Sequence, residues 1–296
     1  MNTSRLSTGS RAPQKAPRAS VHLDRTFTLL YAGLAGRAAA REARDRVPVL
    51  MYHSVSEVSE AGVQPYYRLS ISPARFRDQM QMLADRGCAV TSLEPIADGT
   101  GAACTGGPQA VVTFDDGYLD FLDHAWPVME RHGFTASVFL PTSFIGESTR
   151  LRFKGRECLM WPEVRDLARR GVSFGSHTVT HAVLHQLPWP EVRTELRDSR
   201  ESLERALGTP VSTFAYPYAF PQHDRAFVAR FRGELREQGY RACVTTVIGR
   251  HAPGDDPLRV KRLPVNEADD LRLFSAKLAG AYDWVGAVQS AWKRVR

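Results

Sequence analysis

From Val47 onward the chain alternates short apolar runs with amphipathic stretches, and this alternation restricts the fold more than any other feature. Val47-Pro48-Val49-Leu50-Met51-Tyr52 reads as a strand ending at His53. Further strands read at 89–92, 110–114, 136–140, 172–175, 212–216, 242–247 and 260–265. Ser72-Pro73 opens a helix with a cap and a first-turn proline, and Phe76, Met80 and Leu83 mark its buried face. Helices follow near 119–132, 162–170, 190–207 and 224–238, and Gly87, Gly133, Gly171, Gly208 and Gly239 close the series. Apolar strands joined by helices imply a parallel sheet, either open or closed into a barrel.

Length fits one such unit, because α/β barrels run to about 250 residues as a single domain. The expected organisation is a basic extension over 1–46, disordered to helical, a catalytic domain over 47–275, and a helical tail over 276–296 packed on it. The net charge is +7, but residues 1–47 hold nine Lys and Arg against three Asp and Glu. The extension therefore carries +6 and the body is nearly neutral, which argues against nucleic-acid binding by the body. Residues 1–20 lack any acidic side chain and read as disordered. The run Phe27–Ala35 is too short to span a bilayer, which takes about 20 apolar residues. An amphipathic helix there, continuing into Arg37, Arg41, Arg44 and Arg46, would dock on the body or make peripheral contact with an anionic membrane through residues 21–46. Cys88, Cys104, Cys158 and Cys243 lack metal spacing and imply no disulfide framework, and Cys243 reads as a small core residue. With no persuasive signal peptide, these features favour the cytoplasm or its membrane surface over the cell envelope. Oligomeric state is not readable.

Two clusters carry chemistry. Gln109–Phe114 is apolar and ends in Asp115-Asp116-Gly117, so two carboxylates stand where a strand finishes and the chain turns away. Paired carboxylates at a strand's carboxyl end point to a metal, to a shifted proton affinity, or to both. Some sixty residues on, His177 and His181 lie four apart, a spacing that chelates one ion if the backbone makes a helical turn. One carboxylate and two imidazoles suffice for a catalytic zinc with positions left open. Asp115-Asp116, Pro141-Thr142, His177/His181 and Tyr216-Pro217-Tyr218 all follow successive strands. That placement favours a distorted (β/α) barrel of about seven parallel strands with the loops at one mouth.

At these residues the chain resembles the polysaccharide deacetylase family, also called NodB-homology or carbohydrate esterase family four. Thr113–Gly117 resembles the first motif of that family and Ser176–His181 the second. Phe214-Ala215-Tyr216-Pro217-Tyr218 is similar to the third, where members often have Arg-Pro-Pro-Tyr. Pro48–His53 resembles the branch with bacterial exopolysaccharide and poly-N-acetylglucosamine deacetylases, and the likeness covers roughly residues 47–270. The resemblance implies a metal-dependent hydrolase acting on the N-acetyl groups of a polysaccharide or lipid-linked sugar. In it Asp116, His177 and His181 hold a divalent metal, expected to be zinc. Asp115 would be the base that deprotonates the attacking water, and the backbone N–H of Tyr218 would face the oxyanion.

The sequence departs from the family in two places. Ala215 stands where many members have the arginine that orients the base, leaving Arg165 or Arg262 as substitutes. Asn266 lies on the strand that often supplies an acid histidine, and it cannot titrate. His53, at the same mouth, is the candidate for that role. Tyr66 and Tyr67 could stack on sugar rings. Trp161 reads as packing, and His185 as a bystander to a ligand set already complete. Two other readings compete: a non-catalytic carbohydrate-binding scaffold, and a phosphoesterase, for which the near-neutral body offers no phosphate site.

Overall fold

The computed structural model describes residues 20–34, 46–58, 60, 63, 68–100 and 107–292. The strands are β1 (Val49–Tyr52), β2 (Ser54–Val55), β3 (Ser70–Ile71), β4 (Ala89–Thr91), β5 (Gln109–Phe114) and β6 (Ser137–Leu140). They continue with β7 (Arg152–Phe153), β8 (Arg156–Glu157), β9 (Ser173–Ser176), β10 (Thr213–Ala215), β11 (Ala242–Ile248) and β12 (Val260–Pro264). The α-helices are α1 (Ser20–Leu34), α2 (Pro73–Asp85), α3 (Glu94–Ala97), α4 (Trp126–Arg131), α5 (Trp161–Arg169), α6 (Trp189–Leu207), α7 (Arg225–Glu237), α8 (Leu271–Leu278) and α9 (Asp283–Trp292).

Seven parallel strands close a barrel in the order β1-β12-β11-β10-β9-β6-β5, as the distribution of apolar runs predicts. Closure depends on β1, whose Leu50 is in register with Val112 of β5 on one side and Leu263 of β12 on the other. Strand β4 lies outside the ring and takes only the first half of β5, with Ala89 opposite Gln109 and Thr91 opposite Val111. Alternation along β5 sends Ala110, Val112 and Phe114 outward into the large core beneath the helices. Val111 faces the interior with Val49, Phe139, Ala215, Val244 and Val260. By the same alternation Thr113 and Asp115 continue the inward row, and a carboxylate ends at the top of the barrel interior.

The helices follow their sequence signals. Ser72 caps α2 by accepting from the Arg75 N–H at 3.4 Å, and Phe76, Met80 and Leu83 are buried. Gly208 ends α6 at φ 72°, a backbone that glycine adopts without steric penalty. Residues 119–132 differ from the single helix predicted: Phe121–Ala125 is a π-turn and α4 begins only at Trp126. Pro127 has no N–H to give, so the regular ladder cannot run through this point. The described part of the expected helix starts earlier than Phe27 and does not include Arg46. It occupies Ser20–Leu34, and Arg46 precedes β1 in non-helical backbone. Residues 1–19, Arg37, Arg41, Arg44, Tyr66, Tyr67 and Cys104 lie outside the described residues. Cys88, Cys158 and Cys243 are free and buried.

Gly175, in the middle of β9, shows how tightly the barrel wall is packed. A Cβ there would lie 2.5 Å from both Phe139 Cε1 and Thr213 Oγ1. Overfilling of this kind costs about 1–3 kcal/mol. Gly175→Ala should therefore lower the free energy of unfolding by that amount, read as a lower urea midpoint with an unchanged slope in equilibrium unfolding.

Candidate active site

The interior row of β5 ends in a fully enclosed ion pair. Arg262 of β12 donates from Nη1 to Asp115 Oδ1 and from Nη2 to Asp115 Oδ2, each at 2.7 Å. The guanidinium is wholly buried, and it also donates from Nε to the Thr245 carbonyl at 3.0 Å and from Nη1 to Thr113 Oγ at 3.2 Å. Burial pushes the Asp115 carboxyl up, but the Arg262 guanidinium, by charge and by hydrogen bonds, outweighs it and holds the group below the usual carboxylate range. Asp115 is thus ionised, fixed in rotation and hydrogen-bonded on both oxygens. Of the two arginines considered for the place left by Ala215, Arg262 occupies it. Arg165 on α5 instead pairs with Glu147 at the surface. Ala215 packs in the barrel interior and contributes its carbonyl to the site.

Asp116 turns away from Asp115 because its backbone is left-handed, at φ 71°. Its Oδ2 accepts from the Tyr118 hydroxyl at 2.9 Å and faces Lys154 Nζ at 3.4 Å. Its Oδ1 is buried and accepts no hydrogen bond from any described residue. That oxygen stands 3.2 Å from His181 Nε2 and 3.6 Å from His177 Nε2. His177 donates from Nδ1 to the Ala215 carbonyl at 2.8 Å, which leaves its Nε2 lone pair directed at Asp116. One ligand atom from each of the three residues falls within 4.8 Å of the others. Zinc–ligand bonds of 2.0–2.2 Å put tetrahedral donors about 3.3 Å apart, and both measured separations lie close to that. An orphaned carboxylate oxygen facing two imidazole nitrogens is a donor set that fits a divalent cation.

The histidines do not sit on a helical turn. They lie in a loop after β9, with Thr178 at φ 70° and His181 at φ 58°. Four-residue spacing matched a helix, but the loop reaches the same convergence by left-handed residues. Glu195 of α6 holds it, accepting from the N–H groups of Val179 at 2.7 Å and Thr180 at 3.0 Å. Lys154 sits at φ 49° beside Gly155 in the turn joining β7 to β8, and Tyr218 lies at φ 58° after β10. All five non-glycine residues with left-handed backbone among the described residues are therefore at this mouth, each at a cost of about 1–3 kcal/mol. Strain concentrated in this way marks a region whose geometry is fixed for use rather than stability.

The remaining candidates divide. His53 follows β1, with Nε2 3.9 Å from Asp115 Oδ2, and lines a cleft of about 260 Å³ with Met51, Arg68 and Asn266. Burial lowers its imidazole below the ordinary value of 6.5, against the pull of Asp115 and Asp116. Asn266 accepts from the Ala268 N–H and is part of a local turn. Tyr218 is 47% exposed, its ring edge-on to His181 at 4.5 Å. His185 stands outside the donor set, 3.3 Å from the Tyr216 hydroxyl. Trp161 packs against the main core. Tyr118, Lys154 and Glu195 were not anticipated; only the Lys154-Gly155 dipeptide, a tight-turn signal next to Phe153, hinted at one of them.

Residues 102–242 match the sequence model of the polysaccharide deacetylase family. The chain carries a polysaccharide deacetylase domain. YxkH of Bacillus subtilis strain 168 is 26% identical over 242 residues, covering 80% of this chain and 76% of that protein. The structure of IcaB from Ammonifex degensii superposes with a TM-score of 0.65 at 25% identity, over 79% of this chain and 97% of that one. BA0330 from Bacillus anthracis gives 0.63 at 27% identity, over 79% and 69%. The polysaccharide deacetylase domain thus shares its barrel with solved structures across most of its described length.

Two outcomes follow from the buried charged and titratable groups of the fold. Arg262→Met strands a buried carboxylate and should destabilise the fold by about 3–5 kcal/mol, more than Arg165→Met at the surface, in denaturant titrations of both. His53, His181 and His251 all have their proton affinity lowered, by burial first. The unfolded chain then binds more protons, so their contribution is full above the ordinary value of 6.5 and is lost as pH falls below it. Asp120, raised by burial, acts in the opposite direction, but from the carboxylate range upward. The melting temperature of metal-free protein should therefore drop from pH 7.5 to 5.5 in scanning calorimetry, and a flat profile would contradict the assignment.

Proposed function

We propose that the protein is a metal-dependent N-deacetylase that removes acetyl groups from amino sugars of a polysaccharide or glycolipid precursor. The observation that carries this reading is the ionised Asp115, locked by Arg262 beside the Asp116, His177 and His181 donor set. A sugar-binding scaffold has no use for a buried carboxylate with a dedicated guanidinium, since such a pair contributes little to stability. The two-imidazole, one-carboxylate set favours zinc. A divalent cation held there supplies Lewis acidity, which polarises an acetamide carbonyl and lowers the proton affinity of water.

Asp115 is the base that takes a proton from the attacking water, and Arg262 keeps it ionised and aimed between catalytic cycles. Thr113 and the Thr245 carbonyl hold Arg262 in turn, so the base has no freedom to swing away. Tyr118 and the Ala215 carbonyl orient Asp116 and His177. The backbone N–H of Tyr218 faces the oxyanion, and the exposed Tyr218 ring offers a sugar a flat apolar surface. The departing amine must gain a proton, and His53, 3.9 Å from the base, is the group that returns it.

Purified protein with measured metal content should release acetate from N-acetylated chito-oligosaccharides. Asp115→Asn should retain the metal and lose about 10²–10⁴-fold in kcat, whereas His177→Ala should lose the metal itself. His53→Asn should lower kcat about 10²-fold with metal content unchanged. Undiminished turnover in Asp115→Asn would remove the base, and unchanged turnover in His53→Asn would remove the proton donor.

A further inference from the structure

Helix α1 is fastened to the body through Arg25, Phe27 and Thr28. Arg25 pairs with Asp270, the N-cap of α8, and Trp284 of α9 donates from Nε1 to Thr28 Oγ1 at 3.2 Å. Phe27 meets the Trp284 ring edge-on at 6.4 Å. Thr28 is completely buried, yet Phe27, Leu30 and Tyr31 are 56%, 58% and 52% exposed. Spaced three and four apart, these three share the outward side of the helix. Val288, one turn beyond Trp284 on α9, and Leu271, next to Asp270, are exposed beside the same attachment points.

The other large apolar side chains exposed among the described residues are Val58, Val63, Leu69, Leu151 and Tyr218. They belong to the segments after β1, β6 and β10, at the mouth where the site opens. None projects from helices α2 to α7 around the barrel. Helix α8 begins just after β12, so α1 is tied to that same end of the molecule.

Charge says what would cover this face. The segment that contains α1, residues 1–47, holds +6 of the net +7, and residues 1–19 contain four basic side chains and no acidic one. A protein partner of acidic character would satisfy the charge, but the apolar trio beside it suits an interface that is anionic at its surface and oily beneath. A helix of 15 residues is too short to cross a bilayer, and among the described residues no helix is long and apolar enough to do so. Lying in the interface plane requires only one apolar side and flanking cations.

We propose that α1, with the basic segments on either side of it, docks the protein on an anionic phospholipid surface with the barrel mouth turned towards that surface. Leu30 and Tyr31 enter the headgroup region, and the +6 charge of residues 1–47 draws the helix to an anionic surface. The docked face and the deacetylase site share one end of the molecule, so a glycan borne on that surface meets the mouth directly.

Flotation of the full-length protein with vesicles tests this. Binding to phosphatidylglycerol–phosphatidylcholine vesicles is expected, with little to phosphatidylcholine alone, and raised salt should weaken it. The Leu30→Ser, Tyr31→Ser double variant should bind about tenfold more weakly or less, with unchanged circular dichroism and melting temperature. Both side chains are already more than half exposed in the folded protein, so the variant should fold. Absence of binding by the parent overturns the proposal, as does equal binding by the variant. Light scattering that shows a dimer dispersed by the double variant would instead assign the face to a second copy of this chain.

Discussion

The buried pair between Arg262 and Asp115 is the interaction on which the rest of the site depends. Removing two charges from water is expensive, and well-packed apolar residues could fill the same volume with equal or greater stability. The arrangement is nonetheless rigid, because both carboxylate oxygens and all three guanidinium nitrogens meet partners of fixed position. Its result is an oxyanion that persists inside a barrel, one residue away from Asp116 and its open oxygen. Tyr118, Lys154, Glu195 and the strained loops then bring the two histidines to the other side of that oxygen.

Much of this frame was legible in the residues. Val111 to Phe114 had to be a strand, and Asp115-Asp116-Gly117 had to mark its end, because alternation and glycine leave few other choices. The parallel barrel followed from the same reasoning. What local patterns could not supply was long-range pairing: Arg262 meets Asp115 across 147 residues of chain, and nothing in its neighbourhood distinguished it from Arg165. The spacing of His177 and His181 suggested the right partnership through the wrong backbone, since a period of four does not specify how a loop achieves convergence. Two-residue strands such as β2, β3, β7 and β8 are too short to carry a period at all. The β7–β8 turn that presents Lys154 therefore escaped notice.

With Ala215 on β10, the guanidinium that meets Asp115 comes from β12 instead. In the small interior beneath the mouth, an arginine from β10 and one from β12 would compete for the same carboxylate and the same space. Ala215 leaves that space to Val49, Phe139 and Val260 and still serves the site through its carbonyl. A charge can thus migrate between strands of a closed barrel while the chemistry at its rim keeps one geometry, because neighbouring inward rows converge on the same few ångströms.

The course of β12 adds a temporal consequence. The first strand of the ring emerges early in synthesis, but the gap between β1 and β11 is filled only by the last strand, more than two hundred residues later. That strand also delivers the guanidinium that meets both oxygens of Asp115. Until it arrives, the ring has an open seam with unpaired edges on β1 and β11, and the Asp115 carboxylate lacks its partner. Arrival of β12, closure of the ring and pairing of Asp115 therefore coincide, and a product that stops before β12 has neither the closed ring nor the ion pair.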